Sequence, residues 1–463
     1  MNAQVLYDLS PLVRMMAVGL ILAVGPMAWV WLKSRQDSGT PALHALTLVT
    51  LFLTFDLVLF GAFTRLSDSG LGCPDWPGCY GNASPLGARA EIAAAQSALP
   101  TGPVTHGKAW IEMVHRYLAT GVGVLILMVA VASWVQHWKN RATRLQVTVP
   151  VSPWLATATL VWVCVQGAFG ALTVTMKLFP AIVTLHLMGG LALLALLTVQ
   201  VVRQKQIETG TVPSSVSPGV RGLIWVTFGL LCIQIALGGW VSTNYAVLAC
   251  NEFPRCQNSW WPEMDFAQGF QVWRKLGLTP SGENIGFAAL TAIHYAHRLM
   301  AVLVLVAAGV LAWVLNRSGG LNGSSGLIDG DGVSQGATLN SDGNGNGGGK
   351  SGGKNSGKSD GKSGTGLRTQ SRWIAGLIGL QLATGLSNVV FDWPLLAALL
   401  HTGGAGALVM VMTWTLCASR AYSATSATSA RLASQDSRSR HTQRGDRGDR
   451  ASMHTRTMNR LNP

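Results

Sequence analysis

The sequence predicts an all-α polytopic membrane protein built from two duplicated four-helix transmembrane units in parallel repeat, preceded by one extra N-terminal transmembrane helix. Three observations carry that prediction. Charged residues make up 12% of the 463, about half the share of a soluble chain. The hydrophobic 49% falls in long uninterrupted runs with no alternation of period two, which excludes a transmembrane β-barrel. The chain also repeats its own cysteine, glycine and histidine pattern.

Apolar runs long enough to cross about 30 Å of hydrocarbon, roughly 20 residues each, lie near 12–32, 45–63, 111–134, 153–175, 181–202, 222–241, 291–315, 373–391 and 395–417. The first could be taken for a cleavable signal peptide. Only Arg14 precedes its apolar stretch and no small-x-small site closes it, so it reads as a retained helix. Asp8, and the lack of Arg before residue 14, argue against a mitochondrial transit peptide. Very short connections join the fourth span to the fifth and the eighth to the ninth, as in helical hairpins.

Basic residues set the orientation. Segments 33–44, 135–152, 203–221, 316–372 and 418–463 hold 24 Lys and Arg, against 8 in 1–14, 64–110, 176–180 and 242–290. Basic residues are retained on the cytoplasmic side, which predicts the N-terminus outside and the C-terminus inside. The net charge of +14 is therefore a topology signal. Segment 317–366 is Gly, Ser, Asn, Asp and Lys and predicts a flexible cytoplasmic insertion. The tail 418–463 is basic, with a run from Arg444 to Arg450 suited to anionic lipid headgroups, so no nucleic-acid partner is expected.

Self-alignment places Cys73 and Cys79 over Cys250 and Cys256 at an offset of 177, with Gly61 over Gly238 in the preceding span. His115-Arg116 matches His297-Arg298 at 182. Gln166, Gly170 and His186 match Gln381, Gly385 and His401 at 215, the jump coming from the Gly/Ser insertion. The organisation that follows is 1–44 (extra helix and loop), 45–202 (first unit), 203–221 (cytoplasmic connector), 222–417 (second unit) and 418–463 (tail).

Four histidines within spans, His115, His186, His297 and His401, stand at equivalent places. Ionisable groups in lipid are costly and face a bundle interior or a cofactor, and neutral imidazole is a common axial ligand of haem iron. One bis-His haem pocket per unit is the expectation; His44, His106, His137, His441 and His454 read as loop, span-end or tail residues. Arg116 and Arg298 follow a ligand histidine and can pair with a haem propionate or snorkel to the interface. Glu112 lies one turn before His115, whereas the second unit has His294 in that place. A carboxylate can relay protons or stabilise a cationic intermediate, so catalysis is expected in the first unit and a resident haem in the second. Cys73 with Cys79 and Cys250 with Cys256 read as loop disulfides, with redox exchange by the first pair as the alternative. Cys164, Cys232 and Cys417, within spans, read as packing residues.

The loop from Gly61 to Cys79, Glu112-Met113-Val114-His115-Arg116 and the four spaced histidines resemble the haem A synthase family over about residues 45–417. That resemblance implies two duplicated four-helix units and an oxidoreductase of the bacterial inner membrane that converts the C8 methyl of haem O to the formyl of haem A for terminal oxidases. It implies His115 and His186 as holders of the substrate haem, Glu112 as the catalytic carboxylate, and His297 and His401 as ligands of a haem b cofactor. Haem O synthase, an electron donor and a second copy of the chain are the protein partners it leaves open. The competing readings are a bis-His b-type electron-transfer cytochrome and a haem transporter.

Overall fold

A computed structural model of the chain describes residues 10–36, 42–142, 152–321 and 363–421. Most of the 317–366 insertion and the tail beyond 421, with His441, His454 and the Arg444 to Arg450 run, lie outside the described residues.

Among the described residues nine helices are long and apolar enough to cross a membrane. They are α1 (Ser10–Gln36), α2 (Ala42–Leu66), α4 (His106–Ala142), α5 (Pro153–Thr175), α6 (Pro180–Thr209), α7 (Pro218–Thr243), α9 (Phe287–Leu321), α10 (Ser363–Val390) and α11 (Leu395–Ala418). Between them stand α3 (Arg89–Ala98), the single turn α8 (Phe266–Gly269) and two three-residue strands, β1 (Ser214–Val216) and β2 (Ser419–Ala421). The protein is an all-α polytopic membrane protein. Eight of the predicted spans fall inside these helices, and 373–391 overruns α10 by one residue. Prolines mark the helix starts: Pro153, Pro180 and Pro218 sit in the first turn, where a missing N–H costs nothing.

Helix ends depart most from the sequence reading. α4 runs 37 residues, roughly 55 Å at 1.5 Å per residue, well beyond the hydrocarbon. Its first turns therefore stand in the polar region, against the loop that follows α2. That loop holds α3, which the sequence did not predict. The connector 203–221 is mostly helix, because α6 continues to Thr209 before Gly210 ends it in a left-handed conformation. β1 then pairs in parallel with β2, Ser214 opposite Ser419, clasping the connector to the end of α11.

Helices α2, α4, α5 and α6 contact one another in a closed ring, as do α7, α9, α10 and α11. The rings meet where α6 touches α7 and α11 and where α2 touches α11, while α1 lies outside on α4. The junction carries the largest buried cluster, including Leu194, Leu197, Leu311, Leu315, Ile374 and Met412. The outer faces stay apolar, with Phe52, Trp154, Val226, Val302 and Trp313 exposed, as a lipid-facing surface requires. Several hydroxyls in the bundle bond to their own helix: those of Thr47, Thr50 and Thr54 donate to carbonyls one turn back, while Gln200 and Gln204 of α6 reach across to Thr159 and Thr47.

Candidate functional site: two histidine pairs and one carboxylate

The four histidines come from α4 (His115), α6 (His186), α9 (His297) and α11 (His401). His115 and His186 lie within range of each other's charge, and so do His297 and His401. All four rings are partly buried.

Each ring rests edge-on against a glycine of the preceding long helix. A Cβ built on Gly61 of α2 would lie 3.0 Å from His115 Cε1, and one on Gly238 of α7 would lie 3.0 Å from His297 Cε1. The same holds for Gly170 of α5 against His186 at 3.4 Å and for Gly385 of α10 against His401 at 3.2 Å. The absent side chain lets helix and imidazole approach closely and sets the ring's plane. These are the glycines that self-alignment pairs, so the signal was in the sequence, although their contact with histidine was not. Phe60 adds a stacked contact on His115, with ring centroids 6.2 Å apart.

The ring nitrogens show what the pockets can hold. Nδ1 of His115, His186 and His297 is buried without a hydrogen-bond partner, whereas His401 Nδ1 meets Thr384 Oγ1 at 3.0 Å. His297 Nε2 meets Gln234 Nε2 at 3.3 Å. No protein group bonds Nε2 of His115 or His186 among the described residues. Imidazoles held in place yet short of partners fit the donor set of a haem, in which a ring nitrogen goes to iron.

Glu112 is buried at 4% exposure one turn from His115. Its Oε1 accepts from Arg116 Nη2 at 2.5 Å and its Oε2 accepts from the Cys73 backbone N–H at 2.8 Å. Arg116 Nη1 donates to the carbonyls of Asp75 at 3.0 Å, Pro77 at 3.3 Å and Gly78 at 2.5 Å. The guanidinium thus joins the carboxylate to the loop closed by the Cys73–Cys79 disulfide. Asp75 braces that loop by accepting from the N–H groups of Tyr80 and Gly81 at 2.6 and 2.7 Å. A Cβ on Gly72 would overlap the Lys108 carbonyl, so only glycine lets this backbone lie on the first turn of α4.

The corresponding loop is closed by Cys250–Cys256. Arg298 donates to the carbonyls of Cys250 at 2.7 Å, Glu252 at 2.8 Å and Arg255 at 3.1 Å. In place of an acid, its Nε approaches His294 Nε2 at 3.3 Å. Both arginines therefore hold cysteine loops. Both arginines bond loop carbonyls instead of reaching for a propionate or the lipid interface, a role hidden in the sequence because it depends on where those carbonyls point.

The fold and the site define a polytopic helical membrane protein with two close pairs of intramembrane histidines, one beside a buried carboxylate. Residues 44–328 match the family model described as cytochrome oxidase assembly protein, COX15-CtaA. The chain belongs to that family. It is 34% identical to the heme A synthase of Shewanella oneidensis over 79% of this chain and 92% of that protein. It is also similar to the heme A synthases of Symbiobacterium thermophilum, 28% identical over 60% of this chain and 76% of the relative, and of Halalkalibacterium halodurans, 26% identical over 48% and 67%.

Proposed function

We propose that this chain is a haem A synthase that oxidises the C8 methyl of haem O to a formyl group. The observation that carries the reading is Glu112, a carboxylate buried one turn from His115 in a loop-braced setting that the His297 pair lacks. In this reading His115 and His186 hold the substrate haem, and His297 and His401 hold a haem b cofactor. A bound haem b would supply one-electron transfer.

The conversion of methyl to formyl removes electrons and protons and adds one oxygen atom. Glu112 offers the proton acceptor. Each carboxylate oxygen keeps a lone pair beyond its bond to Arg116 or Cys73, and those two donors hold the group in place. The loop above it keeps bulk water away, since Cys73 and Cys79 are fully buried and Met15 of α1 packs against them. A non-enzymatic cytochrome would use both histidine pairs but has no use for this asymmetry.

The domain reading, a duplication with units 45–202 and 222–417, is supported by contacts between equivalent positions. Arg65 donates to the Ser242 carbonyl and the Tyr245 hydroxyl donates to Asp68, each across 177 residues, the offset of the cysteine pairs. Equivalent positions touch only along the axis that relates two copies. The orientation, N-terminus outside and C-terminus cytoplasmic, rests on the basic residues.

Haem extracted from cells that make haem O, with and without this chain, tests the function. Haem A is expected only with the chain. Unchanged haem O in both would remove the synthase reading and leave the cytochrome.

A further inference from the structure

We propose that the bundle end where α6, α7 and α11 meet binds one anionic glycerophospholipid, its phosphate at Arg203 and Arg221 and its acyl chains along Ala195, Val199, Trp225 and Phe228. These residues line a cavity of about 900 Å³, within the size range of ligand sites, roughly 300–1,000 Å³. The proposal is independent of the haem reading.

Charge names the headgroup. Both arginines line the cavity, and among the described residues no Asp or Glu does. The nearby Glu208 is spent on Lys205 at 3.1 Å. Arg221 is held from one side: its Nη1 donates to the Ser419 carbonyl, and Ser419 Oγ lies 3.3 Å away. Its Nε and Nη2, and the whole Arg203 guanidinium, have no protein partner among the described residues. Two guanidiniums with open donors and no counter-ion among the described residues suit a phosphate.

Depth names the lipid. Ala195, Val199 and Arg203 recur every four residues on one face of α6, with the arginine toward the helix end. On α7, which starts at Pro218, Arg221 stands in the first turn, with Trp225 and Phe228 one and two turns further in. Both helices thus place a cation at the membrane boundary and apolar or aromatic surface beneath it, the gradient of an amphiphile. A free phosphate would use the arginines and leave the apolar half unfilled. Basic pockets between transmembrane helices bind anionic headgroups in this way. Because α6 belongs to one ring and α7 and α11 to the other, a lipid here bridges the two rings beside the β1–β2 clasp.

The test uses the full chain, stripped of lipid in neutral detergent and titrated with phosphatidylglycerol, phosphatidylcholine or inorganic phosphate, with native mass spectrometry and thermal stability as readouts. One retained phosphatidylglycerol and a raised Tm are expected, with neither effect from the other two. Arg203→Gln should weaken retention about five-fold. Ala195→Trp, which fills the apolar half and leaves both arginines, should abolish it. Equal retention of phosphatidylcholine, equal stabilisation by inorganic phosphate, or unchanged phosphatidylglycerol retention in both variants would overturn the proposal.

Discussion

Glu112 and Arg116 show how one residue's chemistry depends on another's. Each is a buried charge, and each is tolerable because the other lies 2.5 Å away. Glu112→Ala would leave Arg116 uncompensated and destabilise the protein by about 3–5 kcal/mol, so loss of product there would mix folding with catalysis. Glu112→Gln keeps an acceptor for Arg116 or Cys73 and removes the proton acceptor. It should retain both haems by absorption spectroscopy while haem A formation falls at least about 100-fold. Normal product from the folded Gln variant would take Glu112 out of the reaction. Gly238 gives a second residue-scale prediction. An alanine Cβ 3.0 Å from His297 Cε1 forces the ring to move by a few tenths of an ångström, so, if His297 holds the proposed haem b, Gly238→Ala should weaken its binding roughly ten-fold. His297→Ala should remove its b-type spectrum altogether. An unchanged spectrum in both would place the cofactor elsewhere.

At the scale of elements, the loops after α2 and α7 meet each other as well as their own arginines. Arg65 lies 4.1 Å from the centre of the Tyr245 ring, and the Tyr245 hydroxyl donates to Asp68. Partial desolvation pushes the Tyr245 phenol above its ordinary value of 10.0 against the opposing pull of Arg65, and the hydrogen bond to Asp68 adds to the rise. A folded value above the unfolded one means that this stabilisation is fully present below pH 10.0 and is lost as pH climbs through the folded value. Wild type should therefore melt above Tyr245→Phe at neutral pH, and the gap in Tm should close above about pH 10. A gap that persists into strong alkali would mean the phenol contributes by packing alone.

The whole molecule places α4 at the centre of these effects. Its length carries the Glu112 turn toward the loop region while the same helix spans the membrane, and α1 packs along it. If the basic segments face the cytoplasm, a reporter active only in the cytoplasm should work when fused after residue 421, and one active only outside should work in the loop 64–110. The reverse pattern would invert the topology and move both cysteine loops to the reducing side.

Much of this was legible in the chain. The nine spans could be read because hydrocarbon thickness fixes a minimum apolar length, and the offsets of 177, 182 and 215 singled out the histidines, glycines and cysteines. α3 and the extension of α6 to Thr209 could not be read, because helix outside the lipid carries no comparable length signal. The partners of Arg116 were equally hidden. A guanidinium offers the same donors to a carboxylate, a carbonyl or a phosphate, and composition does not say which lies nearby.

By itself the sequence determined that this protein is helical, has nine runs long and apolar enough to cross a membrane and carries four histidines within them with one nearby acid, because lipid allows no other use of such apolar runs and makes each buried polar residue stand out. Only the tertiary structure decided that Glu112 is held by Arg116 and the Cys73 N–H, that each histidine rests on a glycine, and that Arg203 and Arg221 share one cavity. Those are contacts between residues far apart along the chain, and their directions are set by how helices pack.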